Sequence, residues 1–166
     1  EKSTEDFKEV LLEGYAPHGI AILVEAATDN NNRTVANIRS YFNKCDGNLA
    51  TSGSVDFLFK HLCFFQIKDE GLDIEELELD LIDFGAIDLS KSESEISITA
   101  NFENFGSIQK ELEKRKLEIT SSDFEREAIN LKDLDEEKMI KVEKLINMID
   151  EDEDIQNVYH NMKSEN

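Results

Sequence analysis

Between Glu13 and Phe59 the chain alternates apolar runs with turn residues in an order that few folds accommodate. Gly14, Pro17 and Gly19 crowd together, which is turn chemistry: glycine reaches backbone angles closed to other residues, and proline fixes its own φ. Phe7 to Leu12 supplies a short strand before this turn. Ile20-Ala21-Ile22-Leu23-Val24 is apolar at every position and rich in β-branched residues, so it reads as a central strand covered on both faces. The two strands are expected to form a hairpin. A helix follows. Asp29 to Asn32 offers side-chain oxygens to the unpaired N–H groups at its start. Val35, Ile38, Phe42 and Cys45 then recur at helical spacing along one face. Gly47 stands where a left-handed C-terminal cap is wanted. Val55, Phe57 and Phe59 alternate with Asp56, Leu58 and Lys60, predicting a strand with one strongly apolar face.

The middle of the chain repeats such signals. Cys63 to Ile67 is an apolar strand and Asp69 to Gly71 a turn. Ile74, Leu77, Leu81 and Phe84 form a helical stripe that stops at Gly85. Ile87 to Leu89 and Ile96 to Thr99 are short strands joined by the polar segment Ser90 to Glu95. Phe102, Phe105, Ile108 and Leu112 mark a second helix, weakened by Gly106, and Leu117 to Thr120 is a strand. The run is β-α-β-β-α-β, the ferredoxin-like order.

The tail adds one helix and one strand. Asp133 to Glu136 resembles a capping box with an acidic N-cap. Met139, Val142, Ile146 and Ile149 run down one face. The acidic run Asp150 to Asp154 opposes the helix macrodipole and is expected to end the helix. Ile155 to His160 closes the chain as a strand, and Glu1 to Asp6 carry no apolar period and are expected to fray. The tail helix and strand lack partners of their own, and the first block has strands with a single helix. Pairing the two blocks satisfies both. The expected fold class is therefore α+β: two ferredoxin-like-type α/β sandwich domains, one inserted in the other. Residues 1–60 and 125–166 make the discontinuous domain, and residues 61–124 the inserted one.

Charge narrows the function. With 38 acidic and 18 basic residues the net charge is -20, which repels nucleic acid at long range, because phosphate binding is mostly cationic neutralisation. No apolar run approaches the ~20 residues needed to cross a bilayer. Cys45 and Cys63 have neither metal spacing nor a disulfide framework, and both read as buried thiols of a reducing compartment.

Catalytic signals are thin. His18, His61 and His160 are scattered and form no zincin-like pair. Tyr159-His160-Asn161 reads as a strand end. Asp150 to Asp154 lacks the alternating ligands, central glycine and distal glutamate of a calcium loop, so a solvated acidic face is expected. There is no nucleophile elbow, Walker loop or dinucleotide fingerprint. No enzymatic activity, cofactor, metal or small-molecule substrate is expected. The one cationic cluster is Asn32, Arg33, Arg39 and Lys44 on the first helix. A phosphate at a helix N-terminus and local pairing with carboxylates such as Asp29 are both open to it.

Several short motifs carry a resemblance: Glu13-Gly14-Tyr15 before Pro17 and Gly19, Thr28-Asp29-Asn30, Asn32-Arg33-Thr34, Arg39, Gly47-Asn48-Leu49, Gly53-Ser54-Val55 and the tail Val158-Tyr159-His160-Asn161. Together they resemble the YebC/PmpR family, and the chain is similar also to the mitochondrial translational activator of cytochrome oxidase subunit I. The resemblance spans nearly the whole chain. It implies two α+β domains, one inserted in the other, and a further basic helical domain that opens with a Gly-His-Ser-Lys-Trp type motif. This chain has no such motif, so that domain is expected to be missing. The family's pattern has glycine where this chain has Ala16 and His18, a basic residue at Asn31 and a second glycine at Asp46. His18 in place of glycine predicts that the turn needs no positive φ there. The resemblance implies regulation of gene expression, either as a DNA-binding transcriptional regulator or as a ribosome-associated translation factor touching ribosomal RNA or protein. The main contact would come from the basic domain. It implies a cytoplasmic location in a bacterium and a mitochondrial one in a eukaryote, with no membrane partner.

Overall fold

The apolar hairpin forms first in chain order. In the computed structural model, which describes residues 6–164, β1 (Lys8–Tyr15) and β2 (Ala21–Thr28) pair antiparallel, from Lys8 opposite Thr28 to Tyr15 opposite Ala21. The fraying expected at the extreme N-terminus falls largely outside the described residues. β1 continues through Gly14, so the reversal is confined to a tight loop closed by Ala16 N–H on the Ile20 carbonyl at 2.8 Å. His18 has φ 68° and Gly19 φ 76°. The expectation of no positive φ at His18 is thus wrong. Two consecutive left-handed residues turn the chain, and histidine tolerates that region better than most side chains.

α1 (Asn31–Lys44) follows β2 directly. Asn30 is its N-cap, and its side-chain oxygen accepts the Arg33 N–H at 3.1 Å. Thr34, Ile38 and Phe42 are its buried positions. The left-handed residue after the helix is Asp46, φ 58°, not Gly47 as expected. Gly47 is needed for space: a Cβ there would lie 2.6 Å from the Tyr15 carbonyl oxygen and 3.1 Å from the Phe42 ring. The chain then enters β3 (Asn48–Ala50), which pairs antiparallel with β1.

The strand expected from Val55 through Phe59 is instead a single 3-10 turn over Asp56–Leu58. Val55 and Phe59 are buried, but Phe57 is 67% exposed. Glu13 explains the difference. Its buried carboxylate accepts N–H groups from Gly53, Val55 and Asp56 at 2.8, 2.9 and 2.8 Å. Several neighbouring donors aimed at one carboxylate curl the segment and override its alternating pattern.

The chain divides into two compact units. The first takes the described residues up to Phe59 and those from Ala128 onward. Its later elements are α4 (Glu136–Asp150) and β8 (Ile155–His160). Asp135 caps α4 by accepting the Lys138 N–H at 2.9 Å, so the cap lies inside the expected Asp133–Glu136 box. The sheet order is β3-β1-β2-β8, antiparallel throughout. Both helices pack on one face, where Ile22 and Val24 of β2 meet Ile38 and Phe42 of α1 and Val142, Leu145 and Ile149 of α4. The other face of β2, Ala21 and Leu23, packs against Val55 and Phe59.

The second unit, Lys60–Glu127, is built from β4 (Phe59–Lys68), α2 (Ile74–Ile82), β5 (Ala86–Ser92), β6 (Glu95–Asn101), α3 (Phe105–Lys114) and β7 (Ile119–Ala128). Its sheet order β5-β6-β4-β7 is that of a ferredoxin-like sheet. Phe65, Ile67, Ile96 and Ile98 of the sheet pack against Leu77 and Leu81 of α2 and Ile108 and Leu112 of α3. Among the described residues no helix is long and apolar enough to cross a membrane. Cys45 and Cys63 are both buried and free, and burial pushes the Cys63 thiol pKa up.

Candidate nucleic-acid interface

No Asp or Glu occurs between Asp29 and Asp46, and within that stretch α1 carries Arg33, Arg39 and Lys44. In so acidic a chain this is the natural place to look for an anion-binding surface. The structure divides the three cations between two tasks.

Arg33, half-exposed, lies along the start of the helix and turns toward the acidic run. Its guanidinium lies 3.2 Å from Asp154 Oδ2 and 3.1 Å from Asp29 Oδ1, with Thr28 Oγ1 at 3.4 Å. The Asp154 hydrogen bond, set against desolvation and aided by Asp29, raises the arginine pKa. Asp154 itself is buried. The Thr34 hydroxyl donates to its Oδ2 at 2.8 Å and sits 2.7 Å from Thr28 Oγ1. Two turns farther along, the Tyr41 hydroxyl donates to Asp152 Oδ2 at 2.7 Å, which lifts the tyrosine pKa to about 12. The acidic run is therefore not a fully solvated face. Asp152 and Asp154 fold back onto α1 because a buried carboxylate needs donors, and α1 supplies them.

Arg39 and Lys44 face outward. With Ala36, Ser40 and Asn43 they line a shallow groove along the exposed side of α1. Asn32 is exposed one turn before Ala36 and extends the same stripe. Of the candidate residues Asn32, Arg33, Arg39 and Lys44, the fold gathers Arg39 and Lys44, sets Asn32 in line with them, and commits Arg33 to an ion pair. The small residues Ala36 and Ser40 leave room beside the cations. Sequence reading missed them, and the missing clue is the acid-free stretch itself. It also missed Asp154 and Thr34, whose partners lie far away in the chain. Among the described residues no group of His, Cys, Asp or Glu is arranged to hold a metal ion.

An exposed stripe of this kind can meet phosphates one at a time, through a guanidinium, an ammonium and side-chain amides. Such contacts position a backbone and carry no sequence information of their own.

Comparison with known proteins places the whole chain rather than this surface. A family described as "TACO1/YebC second and third domain" matches residues 7–162. A probable transcriptional regulatory protein of Flavobacterium johnsoniae is 60% identical over 99% of this chain and 69% of its own length. One of Porphyromonas gingivalis is 52% identical over 99% of this chain and 68% of its own. The crystal structure of a conserved hypothetical protein of Aquifex aeolicus superposes with a TM-score of 0.67 at 36% identity, covering 98% of this chain and 68% of that one.

Proposed function

The chain belongs to the TACO1/YebC family, and on that premise we propose that it regulates gene expression by contacting nucleic-acid phosphates through the outer face of α1. The observation that carries this reading is the placement of Arg39 and Lys44 on one exposed, acid-free helix face. In a body of net charge -20 such a face supplies the local attraction that the whole molecule lacks. The names of the relatives favour DNA as the nucleic acid and transcription as the step regulated. The net charge favours a second reading, docking on the ribosome. There basic ribosomal proteins attract the acidic body while α1 meets ribosomal RNA. Both readings place the protein in the compartment where genes are expressed, the cytoplasm of a bacterium.

The test combines two measurements on the chain and on an Arg39→Glu/Lys44→Glu variant. Binding to a labelled DNA duplex is followed across salt, and sedimentation with ribosomes is run beside it. Each lost phosphate contact lowers the slope of log K against log salt by about 1, so the variant is expected to lose about 2. Sequence-selective duplex binding supports the transcriptional reading, and co-sedimentation with only weak duplex binding supports the ribosomal one. A variant that matches the parent in both assays overturns the α1 surface.

A further inference from the structure

The first unit has a second concave surface that the α1 reading leaves unused. Its walls are Tyr15, Phe57, Leu58 and Ile129, and its polar rim includes Asn130 and Lys132. Phe57, Ile129 and Tyr15 are 67%, 50% and 37% exposed, a cluster of large apolar side chains left facing water. Phe57 is not carried by a loose loop. Glu13 holds the N–H groups of Gly53, Val55 and Asp56, the Leu58 N–H bonds the Val55 carbonyl at 2.9 Å, and the Leu58 carbonyl accepts the Ile129 N–H at 3.0 Å. A fixed backbone therefore holds the ring out.

The rim is as particular as the walls. Lys132 is anchored by its own N–H on the Asn161 carbonyl at 2.7 Å, and its ammonium reaches the Gly19 carbonyl at 3.3 Å. No Asp or Glu lines this groove among the described residues. The groove beside α4 carries Glu136 and Glu143, and the one on β4 and β7 carries Asp123 and Glu125. An acid-free cleft with aromatic walls and one ammonium, in a chain this acidic, matches a planar ring joined to an anion.

We propose that this groove holds one unpaired nucleotide of a single-stranded nucleic acid. The base packs against Phe57 and Tyr15, its phosphate sits at the Lys132 ammonium, and the Asn130 side chain meets the base edge. The inference rests on the reading of the chain as a nucleic-acid-binding regulator and adds to it. The α1 face grips phosphates without regard to pairing. The groove selects strands whose bases are free, because a base within a duplex cannot offer its face.

The experiment measures anisotropy of labelled ligands with the whole chain: a ten-nucleotide oligoadenylate, an abasic sugar-phosphate strand of the same length, and a duplex of that length. The variants are Phe57→Ala, Phe57→Tyr, Lys132→Gln and Arg39→Glu. Oligoadenylate is expected to bind more tightly than the abasic strand. Phe57→Ala is expected to weaken oligoadenylate about tenfold, within the range for losing one base–aromatic stack, and to erase its advantage over the abasic strand. Phe57→Tyr keeps that advantage, and Lys132→Gln weakens both strands. An unchanged melting temperature for Phe57→Ala, expected for an exposed ring, shows that the loss is one of binding. Equal binding of the basic and abasic strands, or indifference to Phe57→Ala, overturns the proposal. If strands bind without regard to bases and Arg39→Glu abolishes binding, the groove is refuted and the α1 reading stands. If no ligand binds at low salt, both fall.

Discussion

The two units solve the same packing problem with different chemistry. Each lays two helices on a four-stranded sheet. The second unit is one uninterrupted stretch, and the residues buried as a whole in it are apolar, although the Asp69 side chain is sheltered on Lys91 at 2.9 Å. The first unit is cut in two by the second. All the buried polar and charged residues among those described lie in it: Glu13, Thr28, Thr34, Asp154 and Asn161. Several of them join the two halves. Asp154 reaches Arg33 and Thr34, and Asn161 Oδ1 accepts the Ala21 N–H at 2.9 Å. Apolar packing is non-directional, so it leaves the register between distant segments weakly specified. A buried hydrogen bond has a direction and is costly when unmade. A discontinuous unit gains more from such bonds, because its halves meet across a large separation in sequence.

The sharpest way to break this contrast is in the apolar unit. Phe65 is fully buried and stacks on Phe105 at 4.9 Å between ring centres. Phe65→Ala is expected to cost about 3–5 kcal/mol. Amide exchange should accelerate along Leu62–Ile67 while Ile22–Val24 keeps its protection. Uniform acceleration in both would mean that the units unfold as one.

A smaller effect is expected at the seam of the split unit. Asp154→Ala removes the carboxylate beneath the buried Thr34 hydroxyl and should destabilise by about 1–2 kcal/mol in denaturant titration. The half-exposed Arg33 adds little, since solvent screens its pair. Arg33→Ala should therefore be nearly silent in stability, and in nucleic-acid binding too. A binding loss for Arg33→Ala would return that residue to the contact surface.

The smallest effect is a pH dependence. His160 is largely buried, and desolvation lowers its pKa below the ordinary 6.5 despite an opposing pull from Glu143. Its Nδ1 accepts the Met162 N–H at 3.1 Å, which requires the neutral ring. A histidine with a lowered folded pKa binds fewer protons folded than unfolded. Stability is therefore expected to fall as pH drops below about 6.5 and to level off below the folded pKa. Melting curves should lose that slope in His160→Gln. A parent whose melting point does not move over this range would contradict it.

Much of the second unit was legible because its signals are local. Helical stripes such as Leu77 and Leu81, and strand runs such as Cys63 to Ile67, each point to one face without help from elsewhere. The β8 strand was likewise readable from Ile155 to His160. Apart from the turn at His18, the misreadings in the first unit share a cause. Val55 to Phe59 alternates like a strand, but a carboxylate distant in sequence, Glu13, curls it. Gly47 looked like a cap and is a close approach of two backbones. The acidic run looked solvated, and its partners Arg33, Thr34 and Tyr41 lie far upstream. At the candidate interface the cations of α1 were legible in the sequence. The division of labour between Arg33 and Arg39 was not, since it depends on where Asp154 arrives.

By itself the sequence determined most of the helices and strands, though not β3 or the turn at Asp56–Leu58, together with the acidic character of the body and the family motifs, because apolar periodicity, turn residues and charge are written locally. Only the tertiary structure decided which carboxylates are buried, which cation is consumed by them, and that Phe57 stands in water beside Tyr15 and Lys132. Those outcomes depend on directional contacts between residues far apart in the chain, and a local pattern carries no record of where its partner will be.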